Sequence, residues 1–69
     1  MREFRHWLYH IRKAKNKTQR EVAEACGIKR QYYGMIENGA NPSVDVAKRI
    51  AAYLGFDWTL FYEHVGNET

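Results

Sequence analysis

A chain of 69 residues with 45% hydrophobic and 28% charged residues suffices for one small globular domain and leaves no room for a second with a cleft between them. A single cysteine, Cys26, excludes intrachain disulfides, and no apolar run reaches the length of a membrane span or a signal-peptide core. The expectation is a cytoplasmic protein forming a single domain over residues 1–69. The net charge of +3 is unevenly distributed: residues 1–20 hold seven basic groups against Glu3, a net +6, whereas residues 21–40 sum to −1 and residues 41–69 to −2. Basic charge gathered in one segment suits a polyanion, because clustered Lys and Arg release condensed counterions from phosphates. A solvated helix face explains the same charge equally well.

Every apolar pattern in the chain has helical period, and no strand is expected. Phe4, Trp7, Leu8, Ile11 and Ala14 predict a first amphipathic helix over roughly residues 2–15, with its Arg and Lys outward. After a turn at Asn16-Lys17, Thr18 and Glu21 form a capping box that opens a second helix with Val22, Ala23 and Cys26 inward and Gly27 as its stop. A third helix runs from Lys29 or Arg30 to Glu37 or Asn38, burying Tyr33 and Ile36, and Gly39 ends it. Ser43 caps a fourth, whose Val44, Ala47, Ile50, Ala51 and Leu54 share a face closed by Gly55. Asp57 caps a fifth carrying Trp58, Leu60, Phe61 and Val65, and residues 66–69 are expected to fray. The fold class is all-α, a five-helix orthogonal bundle.

Residues 18–38 read as helix, tight turn, helix. Ala23 lies where two steeply crossing helices must touch, Gly27 supplies the turn and Ile28 plugs the corner. Such a unit projects the start of its second helix outward, where it fits a DNA major groove while the first helix crosses the phosphates.

The sequence resembles the Cro and phage-repressor helix-turn-helix family, also called the XRE family, over about residues 7–62. The resemblance rests on Thr18-Gln19-x-x-Val22-Ala23-x-x-x-Gly27-Ile28, Ile36-Glu37-Asn38-Gly39, Asn41-Pro42-Ser43 and Ala47-x-x-Ile50-Ala51-x-x-Leu54-Gly55. It implies a lambda-repressor-like domain that binds double-stranded DNA at a pseudo-palindromic operator and regulates transcription, in the first instance as a repressor. Arg30 and Gln31 then take the base-reading positions, and their chemistry agrees: Arg pairs bidentately with guanine, Gln with adenine. Gln19 takes the place that bonds a phosphate, with Thr18, Lys17 and Arg20 beside it at the helix start. Lys29, Tyr32 and Asn38 are placed at the backbone on the groove edges.

Three positions depart from the family pattern. Lys29 stands where Ser or Thr commonly caps the third helix, leaving that end without a side-chain acceptor. Gly34 implies a close approach, either to DNA or to the second helix. Met35 is assigned to base reading, through a thymine methyl, with cover for the core edge as its other use.

Other constellations carry less. His6 and His10, one turn apart, have no third ligand at a recognisable spacing, so neither a metal nor another cofactor is expected. Glu21 is needed as a cap, Glu37 suits a backbone or basic partner, and Cys26 suits the core, so no enzymatic set emerges. No small-molecule ligand or membrane partner is expected. The crowded apolar groups of the last helix predict homodimerisation through it, with Trp58, Phe61 and Val65 inward and Leu60 and Tyr62 outward. The alternative function on the same fold is a protein-interaction module, an antitoxin or an adaptor of the transcription machinery.

Overall fold

The computed structural model describes residues 3–63, and among them the chain forms four α-helices and one 3₁₀ turn with no strand. The helices are α1 (His6–Ala14), α2 (Gln19–Cys26), α3 (Arg30–Glu37) and α4 (Val44–Leu54), and the 3₁₀ turn spans Trp58–Tyr62. Local chemistry sets most of these bounds. Thr18 Oγ1 accepts from the Glu21 N–H at 3.0 Å while the Glu21 carboxylate accepts from the Thr18 N–H at 2.8 Å, the full capping box. Ser43 Oγ accepts from Val46 N–H at the start of α4. Gly27 and Gly55 end α2 and α4 in the left-handed conformation, at φ 71° and 86°.

The core gathers Leu8, Val22, Ala23, Cys26, Tyr33, Ile36, Ala47, Ile50, Leu54 and Phe61. Helix α2 is central, packing on both α3 and α4. Ala23 is buried, which gives the small residue its role at the crossing, and Ile28 packs half-buried against the same core. Trp7 closes one end, its ring edge-on to Phe56 and Phe61 with centroids 5.3 and 5.1 Å apart.

Five sequence expectations are corrected. Helix α1 begins at His6, and Phe4 is 38% exposed, because Arg5 leads the chain across the end of α3 instead. The Arg5 N–H donates to Glu37 O at the end of α3, and its guanidinium donates to the carbonyl of Ile36 and to that of Ala40 in the turn beyond. Arg12 does not face outward: it is buried and paired with Glu37. Val44, the first residue of α4, leaves the core face and is 50% exposed. Over the described residues the expected fifth α-helix is only the 3₁₀ turn, so the five-helix architecture becomes four helices and a turn. Its tighter winding eclipses Trp58 and Phe61 at i, i+3, burying Phe61. Tyr62, expected outward, is half-buried against the core and donates its hydroxyl to Pro42 O at 3.0 Å. Residue 2, Val65 and the tail 66–69 lie outside the described residues.

Candidate nucleic-acid interface

Helix α3 presents distinct stripes. Tyr33, Ile36 and Glu37 face the interior, so the residues opposite them form the outer face: Gln31, Met35 and Asn38, at i, i+4, i+7, all exposed. Arg30 and Gly34 form the flank turned toward the start of α2, and Tyr32 lies half-buried on the opposite flank, packed against the core. Of the residues read as base-contacting, Gln31 and Met35 therefore sit on the crest of the helix, with Met35 53% exposed. Arg30 is exposed at its shoulder. Lys29 is the N-cap of α3 and makes no side-chain capping bond, as the sequence predicts. Asn38 is the exposed C-cap residue, on the same crest as Gln31.

The start of α2 meets the flank of α3 at a concavity of about 340 Å³. Lys13, Lys17, Arg20 and Arg30 line it, together with Thr18 and Gln19. Helix geometry leaves the first-turn N–H groups without intrahelical acceptors. The capping box satisfies those of Thr18 and Glu21, and those of Gln19 and Arg20 are left to face an anion. Arg20 is ion-paired with Glu24 at 3.2 Å, but both side chains are largely exposed, so the pair is weak and yields readily to a phosphate. Lys17 lies half-buried with its ammonium 5.8 Å from the Tyr53 ring centroid. Cations, helix dipole and amide hydrogens thus converge on one hollow next to the exposed face of α3.

Beneath this surface is a buried polar network that orients it. Glu37 is 1% exposed and accepts from Arg12 Nε at 2.6 Å, Arg12 Nη2 at 3.2 Å, Tyr33 Oη at 2.7 Å and Gln19 Nε2 at 3.0 Å. Arg12 also donates to Lys17 O at 2.9 Å, tying the α1–α2 turn to the same centre. Burial alone would raise the Glu37 carboxyl, but the hydrogen bonds from Arg12, Gln19 and Tyr33 outweigh it and hold the group below its ordinary value. The same contacts push Tyr33 strongly upward, burial acting first and the carboxylate second, so its hydroxyl stays a donor. Gln19 consequently has one amide hydrogen fixed on Glu37 and the other available for a ligand.

The structure brings Thr18, Gln19, Lys17, Arg20 and Arg30 together and sets Gln31, Met35 and Asn38 on the adjoining crest; Lys29 and Tyr32 lie on the remaining edges of α3. Sequence reasoning missed Lys13 and Asn16. Asn16 lines the concavity from the α1–α2 turn, where it adopts φ 59°, a conformation Asn tolerates better than most residues. The signal available was the turn itself, Asn16-Lys17 between two helices. Sequence reasoning gave Glu37 a backbone or basic partner but did not name Arg12 as that partner or place the pair in the core. Its signal was a charge at a core register in each helix: Arg12 is i+4 from Leu8, and Glu37 is i+4 from Tyr33.

An amphipathic trio of helices with a small-residue crossing, a left-handed glycine turn and an exposed, polar-faced α3 beside a cationic hollow defines a helix-turn-helix protein. Comparison with known proteins agrees. The helix-turn-helix family model matches residues 8–61. The chain is 58% identical over 66 residues, 94% of its own length and 87% of the other's, to a Bacillus subtilis (strain 168) protein named "Uncharacterized HTH-type transcriptional regulator YqaF". The chain belongs to the helix-turn-helix family of Cro and phage-repressor type.

Proposed function

We propose that the protein is a sequence-specific double-stranded DNA-binding regulator of transcription that represses by occupying its operator, with no catalytic step. The observation that carries this reading is the exposed Gln31–Met35–Asn38 crest of α3 lying beside the cationic hollow at the start of α2. Gln31 reads adenine, Arg30 guanine and Met35 a thymine methyl, while Gln19, Thr18, Lys17 and Arg20 hold the phosphates. Lys29, Tyr32 and Asn38 contact the backbone at the groove edges. The name of the Bacillus subtilis relative supports the assignment to transcription. The proposal includes action as a homodimer, setting two copies of α3 about 34 Å apart on a pseudo-palindromic site. Trp58, Leu60 and Tyr62 stay half-exposed around the 3₁₀ turn, and Val44 is exposed two residues beyond Pro42, which supplies an apolar face for pairing.

Selection from a random duplex pool, followed by binding measurements on the selected site, tests the reading. Arg30→Ala and Gln31→Ala are expected to weaken the selected site by ~1–3 kcal/mol and relax preference at one or two base pairs. Lys17→Ala and Arg20→Ala should each flatten the slope of log K against log salt by ~1. A flat salt titration of the parent protein refutes DNA binding. Sedimentation with and without the duplex tests the dimer, which a monomer in both conditions rules out, and transcription from a promoter carrying the selected site tests repression.

A further inference from the structure

Gly34 sits in the middle of the eight-residue helix α3, where glycine is the least favourable residue after proline because of the backbone freedom it loses. A glycine in such a place answers one of three needs: a left-handed backbone, close packing against the protein's own chain, or room for something outside. The first does not apply, since the positive-φ glycines are Gly27, Gly39 and Gly55, and Gly34 is an ordinary helical residue. Nor does the second. Among the described residues, the atom that a Cβ on Gly34 would approach is Gln19 Oε1, at 3.6 Å, an ordinary van der Waals contact with a side chain. An alanine fits there without displacing anything.

The third need matches the position. Gly34 is one turn after Arg30 and one turn before Asn38, on the flank between the α3 crest and Gln19. We infer that Gly34 is a clearance position: its missing side chain lets duplex DNA close onto the α3 backbone between the phosphate anchor Gln19 and the base-reading Gln31. This inference rests on the DNA-binding reading above. A methyl group at this point stands between helix and duplex and holds them apart, and a side-chain hydrogen bond of ordinary length, ~2.9 Å, is lost when its partners are held off by roughly another 1 Å. The same methyl improves the free helix, so stability and binding should move in opposite directions, which a merely structural glycine would not produce.

The test is Gly34→Ala in the full chain, with thermal unfolding of the free protein and binding to two duplexes, the one selected by the parent protein and an unrelated sequence. The expected result is a thermal midpoint raised by ~4–8 °C together with at least tenfold weaker binding to the selected duplex. A loss confined to the selected duplex places a base edge against Gly34; an equal loss on both duplexes places the sugar–phosphate strand there, and each supports clearance. Unchanged or tighter binding overturns the inference while leaving the DNA-binding reading intact. A lowered thermal midpoint also overturns it, by showing that the glycine serves the protein's own packing. If the parent selects no duplex from the pool, the DNA-binding reading itself fails.

Discussion

Replacing Glu37 by glutamine should be among the most destabilising conservative changes this chain can suffer. The carboxylate is 1% exposed and receives four hydrogen bonds, from Arg12 Nε and Nη2, Tyr33 Oη and Gln19 Nε2. Glutamine keeps the shape but substitutes an amide donor for one acceptor oxygen, and it leaves the Arg12 cation, 6% exposed, without a counter-charge. Removing one partner of a buried pair costs about 3–5 kcal/mol, because the remaining charge keeps its desolvation penalty and loses its compensation. A domain of 69 residues has a total stability of only ~3–10 kcal/mol. Urea titration followed by the fluorescence of Trp7 and Trp58 should therefore show the midpoint falling by ~2–3 M or the variant unfolded in buffer. The triple variant Arg12→Met, Glu37→Leu, Tyr33→Phe removes both charges and the dependent hydroxyl together, and it should recover most of the loss. A Glu37→Gln variant within about 1 kcal/mol of the parent would refute the reasoning, since that result requires the pair to be solvated.

The same network sets the pH dependence. The Glu37 carboxyl is lowered in the fold from its ordinary 4.5, so its contribution is fully present above that value and is lost as pH falls through the lowered folded-state value; urea midpoints measured from pH 7 to pH 2 should decline below about pH 4.5, and Glu37→Gln should flatten that decline. Tyr33 is raised from its ordinary 10.0, so its contribution is present below that value and is lost as pH rises above it; the alkaline decline should be smaller in Tyr33→Phe than in the parent, and an equal decline in both would contradict the assignment. Lys29→Ser supplies the missing acceptor at the start of α3 and should raise stability by ~0.5–1 kcal/mol in the same urea assay, a gain that Lys29→Ala lacks.

The parts of this protein that depend on neighbours three or four residues away were legible in the sequence. The Thr18–Glu21 box, the Ser43 cap and the left-handed Gly27 and Gly55 follow from backbone groups that a helix end must satisfy within its own turn. The inward faces of α2 and α3 follow from helical period. The resemblance to a known family makes Arg30, Gln31 and Met35 the candidates for base reading, and all three lie exposed on α3. The last helix misled because Trp58, Phe61 and Val65 have α-helical spacing, whereas Trp58–Tyr62 winds as a 3₁₀ turn.

What only the tertiary structure decided are the relations between residues far apart in the chain. Arg12 and Glu37 are separated by 25 positions, and no local rule distinguishes an arginine on the edge of the core stripe that reaches water from one that meets a carboxylate. Packing α1 against α3 made that choice by removing solvent from both groups, and the resulting pair fixed Gln19 from beneath. The segment before α1 was likewise settled at a distance, by carbonyls at the end of α3 that needed donors and found Arg5. The basic charge of residues 1–20 was countable from the sequence, but its convergence with Arg30 on one hollow required the crossing of α2 and α3. Sequence thus determined the bounds of α2 and α4 and the apolar core positions of α2 and α3, because those are set by short-range hydrogen bonding and period. Tertiary packing determined which charges lost water and which kept it, because desolvation is a property of everything surrounding a group in space.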